Sequence, residues 1–118
     1  MGLDMYLYKI EKDKQAYWRK SNQIHNWFVQ NTEEVREDIQ YTVSTHHLKA
    51  LRAVCEDVLD KKDIDYAQEH LPPVDGFFFG STNIDEYYWQ DLEETISQLD
   101  ATISSADEYD EFEYYASW

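Results

Sequence analysis

The chain has 118 residues, 42% of them hydrophobic, and a formal net charge of -15 at neutral pH. This length is typical of one folded unit with one core, so we expect a single domain over residues 1–118. Nucleic acids and anionic membranes bind proteins through lysine and arginine, so a charge of -15 argues against both as direct partners.

The first predicted elements are a strand and a helix. Residues 3–10 (LDMYLYKI) are rich in strand formers, and their apolar side chains alternate. Ser21 is a favourable N-cap for a helix whose apolar residues recur at helical spacing and which ends at Asn31. Tyr17 and Trp18 are assigned to the first turn of this helix.

A second strand and a second helix follow. Residues 39–43 alternate apolar and polar side chains, which predicts a short strand. Ser44 or Thr45 then caps a helix that runs to about Lys62 and carries one apolar stripe.

The second half of the chain predicts a strand, the longest helix and a final strand. Glycines bracket residues 76–80, as is typical of a short strand, and the aromatic segment 109–118 predicts the last one. Asn83 caps the helix, and Glu86 at its third helical position completes a pair similar to a capping box. The apolar stripe of this helix consists of Ile84, Tyr88, Leu92, Ile96, Leu99 and Ile103.

Together these elements predict an α+β fold. We expect a small mixed or antiparallel sheet of three to four strands, with about three helices packed mainly on one face. Cys55 is the sole cysteine, so no internal disulfide can form, and no apolar run reaches the ~20 residues that span a bilayer. We therefore expect a cytoplasmic protein without a membrane partner.

The acidic residues are concentrated in the C-terminal half. Residues 63–118 hold 15 of the 25 acidic side chains and no lysine or arginine, whereas residues 1–62 hold 10 of each sign. Solvated helix faces usually interleave lysine with glutamate, because unpaired like charges repel. On the longest helix the sequence instead predicts an acidic ridge without a cation. The ridge consists of Glu86, Gln90, Glu93, Glu94, Ser97 and Asp100.

This ridge alone is too sparsely charged to imitate nucleic acid. Its carboxylates at seven-residue spacing stand about 10 Å apart along the axis, whereas one DNA strand carries a charge every ~3.4 Å. The acidic segment after the helix would raise this charge density if the segment packed beside the helix. The alternative is a solvated acidic face that only keeps the protein soluble. We predict partner contacts at Glu86, Glu93, Glu94, Asp100, Asp107, Glu108, Asp110 and Glu111.

Two other kinds of site are considered. Trp18, Arg19 and His25 combine aromatic and basic side chains, so an exposed patch there would suit a protein contact. The histidines do not show metal-ligand spacing: His46 and His47 are adjacent on a helix and point about 100° apart. We expect no metal, cofactor or catalytic activity, and keep as a third hypothesis a metal-assisted enzyme using His25, His46 or His70 with carboxylates.

Three stretches carry a family resemblance: residues 1–7 (MGLDMYL), 17–28 (YWRKSNQIHNWF) and 76–82 (GFFFGST), the last leading into 85–88 (DEYY). They resemble a family of small proteins encoded by bacteriophages and prophages, over most of the chain. The resemblance implies a phage context and assigns no residue roles. Small, acidic, single-domain phage proteins are often similar to inhibitors of host defence, including anti-CRISPR proteins and DNA mimics. This similarity is one of protein class and charge and not of sequence motif.

These observations converge on one functional prediction. We expect a phage-type inhibitor of a host defence nuclease, acting in the host cytoplasm by acidic-surface occlusion of a nucleic-acid-binding groove. Its partner would be a basic nucleic-acid-binding protein of the host. The alternative is a phage interaction protein that uses the patch around Trp18 and His25.

Overall fold

Five strands and four helices make up the described part of the chain, which in this computed structural model comprises residues 2–9, 13–36, 40–74, 82–107 and 110–117. Their order is β1 Asp4–Lys9, β2 Asp13–Arg19, α1 Asn22–Asn31, β3 Glu33–Arg36, β4 Gln40–Ser44, α2 Thr45–Lys61, α3 Ile64–His70, α4 Glu86–Ser105 and β5 Glu111–Ser117. The α+β class is confirmed. The strand predicted over 76–80 lies outside the described residues.

The sheet is antiparallel throughout and has the strand order β2-β1-β5-β4-β3. The last strand of the chain therefore occupies its centre. Along one edge β5 pairs Tyr114 with Leu7 of β1, and along the other it pairs Phe112 with Val43 of β4. Since β1 and β4 meet only through β5, the sheet is completed by the C-terminal segment.

The two faces of the sheet differ because side chains alternate along each strand. One face is buried against the helices and contributes Met5, Leu7, Ala16, Trp18, Tyr41, Val43, Phe112, Tyr114 and Ala116. These side chains form one core with Leu48, Leu51, Cys55 and Val58 of α2 and with Tyr88, Leu92 and Leu99 of α4. The helices thus pack on one face, as predicted.

Helix ends follow local capping chemistry, with one difference from the sequence prediction. The Ser44 hydroxyl accepts from the backbone N–H of His47 at 3.2 Å, and the Ser44 N–H donates to His47 Nδ1 at 3.0 Å, which confirms Ser44 as the N-cap of α2. At α4 the cap is Asp85 and not Asn83. The Asp85 carboxylate accepts from two backbone N–H groups of the first turn, at 3.1 and 3.3 Å.

Tyr17 and Trp18 belong to β2, not to the first turn of α1. Lys20 separates the two elements with a left-handed φ of +56°, and its N–H donates to the Leu3 carbonyl at 2.8 Å. Trp18 faces the core, where its Nε1–H donates to Thr95 Oγ1 of α4 at 2.8 Å. This contact with a residue distant in sequence favours the strand, although the local sequence has the residue spacing of a helix.

Two other elements were not predicted. β3 is a short edge strand next to β4. α3 is a two-turn helix capped by the Asp63 carboxylate, which accepts from the N–H of Tyr66 at 3.1 Å. Its buried residue is Ala67, so it has no broad apolar stripe to reveal it in the sequence.

A pair of substitutions in β5 tests the central placement of this strand. Phe112 is 1% exposed and Tyr115 faces away from the helices. Phe112→Ala should lower the free energy of unfolding by about 3–5 kcal/mol, because it empties part of the core. Tyr115→Ala in the same strand should cost clearly less. Urea denaturation measures both, and equal losses would contradict the assignment of the two faces.

Candidate functional site

The outer side of α4 carries four exposed carboxylates, and three of them, Glu86, Glu93 and Glu94, are here called the α4 carboxylates. The helix buries its opposite side through Tyr88, Leu92, Thr95, Leu99 and Thr102. Among the described ion pairs none involves an α4 carboxylate. They therefore present negative charge directly to solvent, on a helix fixed by its packing.

Asp100 does not belong to this uncompensated group. The Arg52 guanidinium of α2 binds both Asp100 and Glu56, with Nη2 of Arg52 3.4 Å from Oδ2 of Asp100. α2 lies antiparallel to α4, since Thr45 at the start of α2 bonds Asp107 beyond the end of α4. The prediction of a ridge without any cation is thus wrong at Asp100, because a basic residue distant in sequence packs beside it.

Two acidic residues after α4, Asp107 and Asp110, lie near the N-terminus of α2. The Thr45 hydroxyl donates to the Asp107 carbonyl at 2.7 Å, and the Asp107 N–H donates to Oδ2 of Asp110 at 3.0 Å. Asp107 follows the C-cap of α4 directly, so it places an exposed carboxylate just beyond the end of the helix. Glu108 lies outside the described residues.

The chain then turns away from the ridge. Glu111 and Glu113 alternate with Phe112 and Tyr114, which are buried against the helices, so the two glutamates lie on the opposite face of the sheet. The acidic tail therefore does not form one row with the α4 carboxylates. Nor does the aromatic tail supply an exposed apolar contact at Phe112 and Tyr114, because both are core residues.

The predicted patch of Trp18, Arg19 and His25 is not a surface. Trp18 is 3% and His25 5% exposed. His25 Nδ1 lies 2.6 Å from the hydroxyl of Tyr114 in the core. Only Arg19 is exposed, and its Nε lies 3.5 Å from Oδ1 of Asp4. The correction follows from β2: alternation directs Trp18 inwards and Arg19 outwards.

A partly exposed group of tyrosines lies on the face of the sheet opposite the helices. We call it the tyrosine face, and it consists of Tyr6, Tyr8, Tyr17 and Tyr115 from three adjacent strands. The Tyr6 ring centroid is 5.3 Å from that of Tyr17, 5.9 Å from that of Tyr8 and 6.1 Å from that of Tyr115. Tyr17 is 42% exposed.

Asp4 borders this face and modifies its chemistry. The Tyr17 hydroxyl donates to Oδ1 of Asp4 at 2.9 Å, and this hydrogen bond raises the pKa of Tyr17. Sequence reasoning missed the tyrosine face because it assigned Tyr17 to a helix. The alternation of Tyr6 and Tyr8 with core residues was the available signal.

A pocket of about 290 Å³ lies between the start of α1 and the first half of α4, and we call it the α1–α4 pocket. Its polar lining includes Arg19, Lys20, Gln23, Asn83, Asp85 and Asp91. Nε2 of Gln23 donates to Oδ2 of Asp91 at 3.2 Å, and burial raises the pKa of Asp91 to about 6. No local sequence pattern indicates this pocket, since it requires α1 and α4 to be adjacent.

Four histidines and Cys55 are the candidates for metal or thiol chemistry in the described part of the chain. No group of three or more histidine, cysteine, aspartate or glutamate side chains among those residues is arranged to hold a metal ion. The histidines of the third hypothesis lie on separate helices, with His25 in α1, His46 in α2 and His70 in α3. Burial raises the pKa of the Cys55 thiol to about 12, which makes it a poor nucleophile.

Comparison with known proteins leaves the chain without an assigned family. No protein-family model, curated protein or solved structure matches it. None of the helices in the described residues is long and apolar enough to cross a membrane. The resemblance to phage and prophage proteins accordingly stays a prediction.

Asp91 should make the stability of the protein depend on pH. Its pKa is raised in the folded state, so the folded chain binds this proton more tightly than the unfolded chain does. Ionised Asp91 thus lowers stability above pH about 6, and the penalty disappears as the pH falls towards 4. Asp91→Asn should stabilise the protein relative to the wild type at about pH 7.5 and much less at about pH 4.5.

Thermal unfolding at the two pH values measures this difference. Glu93→Gln is the matched control, because it removes one exposed carboxylate from the same helix. A gain from Asp91→Asn that is equal at both pH values would contradict the burial of an ionisable Asp91.

Proposed function

We propose that the protein is a phage-type inhibitor of a host defence nuclease. It acts by occluding the basic, nucleic-acid-binding groove of that enzyme with an acidic surface, in the manner of anti-CRISPR inhibitors. One observation carries the proposal: Glu86, Glu93 and Glu94 are exposed on one helix without an ion pair to any described residue. A lysine- and arginine-rich groove would supply the cations that this face lacks.

The setting of the α4 carboxylates favours such a role. α4 packs along α2, and Thr95 of α4 holds the indole of Trp18 in the neighbouring sheet edge. Because the backbone that carries these carboxylates is already fixed, binding costs only the freedom of the side chains and not that of the helix. Their negative field also attracts a basic partner over distances of about 10 Å at 0.1 M salt.

The mode of inhibition is occlusion and not imitation of a phosphate row. The α4 carboxylates are spaced too widely for that, and Glu111 lies on the other face of the sheet. Asp107 and Asp110 add negative charge near the end of α4. Asp100 contributes less than predicted, since Arg52 already binds it.

A second candidate function is protein interaction through the tyrosine face. Tyrosine is enriched at protein interfaces, because its ring offers a large rigid area and its hydroxyl a hydrogen bond. Four tyrosines on three adjacent strands favour this reading. It takes the place of the patch around Trp18 and His25, whose side chains are buried.

Neutralising the α4 carboxylates should weaken inhibition. In the triple variant Glu86→Gln, Glu93→Gln, Glu94→Gln, each lost contact costs about 0.5–1 kcal/mol, so affinity for a basic nuclease should fall about tenfold or more. The measurement is cleavage of nucleic acid by purified CRISPR effector nucleases at rising inhibitor concentration. Wild-type affinity should fall steeply with salt, and that of the triple variant less steeply.

The matched control has the same net charge as the triple variant. It carries Asp60→Asn, Asp65→Asn and Glu69→Gln, which are exposed carboxylates of α2 and α3. The proposal requires the control to inhibit like the wild type. Equal inhibition by all three proteins, or an affinity that does not change with salt, would overturn it.

The tyrosine face can be tested separately with Tyr17→Ala. Tyr17 is 42% exposed, so the substitution removes accessible ring surface at a small cost in packing. If the partner binds the tyrosine face, this variant loses affinity while the triple variant keeps it. If the α4 carboxylates make the contact, the opposite pattern is measured in the same cleavage assay.

A further inference from the structure

The α1–α4 pocket combines charges of both signs. Arg19 and Lys20 come from the end of β2 and the residue after it, whereas Asp85 and Asp91 come from the start of α4. Among the described residues Lys20 forms no ion pair. Two cations and two carboxylates therefore line one small cavity, and the Lys20 ammonium remains available to a ligand.

The cationic side of the pocket depends on an unusual backbone. Lys20 adopts a left-handed φ of +56°, which costs a residue with a side chain about 1–2 kcal/mol. Gly2 lies against it with a φ of +99°. A Cβ at position 2 would stand 2.9 Å from Cε of Lys20 and 3.3 Å from Nη2 of Arg19. The missing side chain of Gly2 leaves the room in which both cations lie.

The acidic side is held in place by hydrogen bonds. Asp85 is fixed by the two backbone N–H groups that it caps. Asp91 accepts from the amide of Gln23, whose side chain belongs to a residue only 3% exposed, and from the side chain of Ser21. Burial is the largest cause of the raised pKa of Asp91, followed among the raising causes by the charges of Glu94 and Asp85. A cation placed beside Asp91 would favour its ionised form.

The remaining lining suits a small polar ligand. Asn83 and Gln23 present amide groups that donate and accept, and the rings of Tyr87 and Tyr88 add apolar walls. A volume of about 290 Å³ stands at the lower end of small-molecule pockets, which measure ~300–1,000 Å³. The size matches a molecule of roughly ten heavy atoms.

We propose that the α1–α4 pocket binds a small zwitterion of the size of a free α-amino acid. Its carboxylate would contact Lys20 and Arg19, and its ammonium would contact Asp91 and Asp85. A ligand with a single charge would be attracted by one pair of side chains and repelled by the other. A zwitterion is attracted by both the two cations and the two carboxylates. This binding activity goes beyond the proposed inhibitor role, since it uses none of the α4 carboxylates.

The experiment titrates the full chain with each of the twenty standard L-amino acids in turn. The side-chain amide NMR signals of Gln23 and Asn83 report on the pocket. At least one amino acid should shift both signals saturably, with a Kd of about 1 mM or tighter. Acetate, methylammonium and the N-acetyl methylamide of the same amino acid lack one or both charges and should leave the signals in place.

Two results would overturn the proposal. One is the absence of a saturable shift for every amino acid at about 10 mM. The other is binding of acetate or methylammonium as tight as that of the best amino acid, which would make the pocket a simple ion site.

A pair of lysine variants separates binding from folding. Lys20→Gly removes the ammonium, and glycine accepts the left-handed backbone, so the fold should be kept. Lys62→Gly is the matched control, because Lys62 has a left-handed φ of +44° at the end of α2 and does not line the pocket. Lys20→Gly should weaken amino-acid binding at least tenfold, whereas Lys62→Gly should leave it unchanged. Equal affinities of the two variants, with thermal unfolding confirming that both are folded, would contradict the assigned role of Lys20.

Discussion

The insertion of β5 between β1 and β4 joins the two halves of the sheet. Tyr114 fixes this strand to the helical layer: its ring stacks on Phe28 of α1 with centroids 4.0 Å apart, and its hydroxyl lies 2.6 Å from His25. The buried hydroxyl thereby keeps a hydrogen-bond partner, which a fully buried polar group needs. Through this one residue the centre of the sheet and the first helix hold each other in place.

The same insertion divides the acidic half of the chain. α4 and its exposed glutamates stay on the helical side, whereas Glu111 and Glu113 are carried to the open face of the sheet. Charge that is continuous in the sequence is therefore split between two surfaces. Arg52 divides it further by binding Asp100, so that the uncompensated part of the ridge contracts to Glu86, Glu93 and Glu94.

Strand alternation around β5 also decides which aromatic residues are accessible. It turns Trp18 and Tyr114 into core residues and leaves Tyr6, Tyr17 and Tyr115 on the open face. At the end of β2, the left-handed Lys20 turns the chain into α1 and places Lys20 and Arg19 opposite the start of α4. Three distinct surfaces, the α4 carboxylates, the tyrosine face and the α1–α4 pocket, thus result from one arrangement of strands.

Local sequence patterns suffice to predict the α+β class, the first strand, the helix that ends at Asn31, the helix capped by Ser44, and the last strand. These elements depend on periodicity and capping, which are local and can be read from neighbouring residues. The three-dimensional packing was needed to show that Trp18 lies in a strand and that Asp85 caps α4. It was also needed to show that Asp100 meets Arg52 and that Asp91 is half-buried beside Gln23. Each of these contacts joins residues distant in sequence or depends on a choice between neighbouring caps, and tertiary contacts override local propensity at these positions.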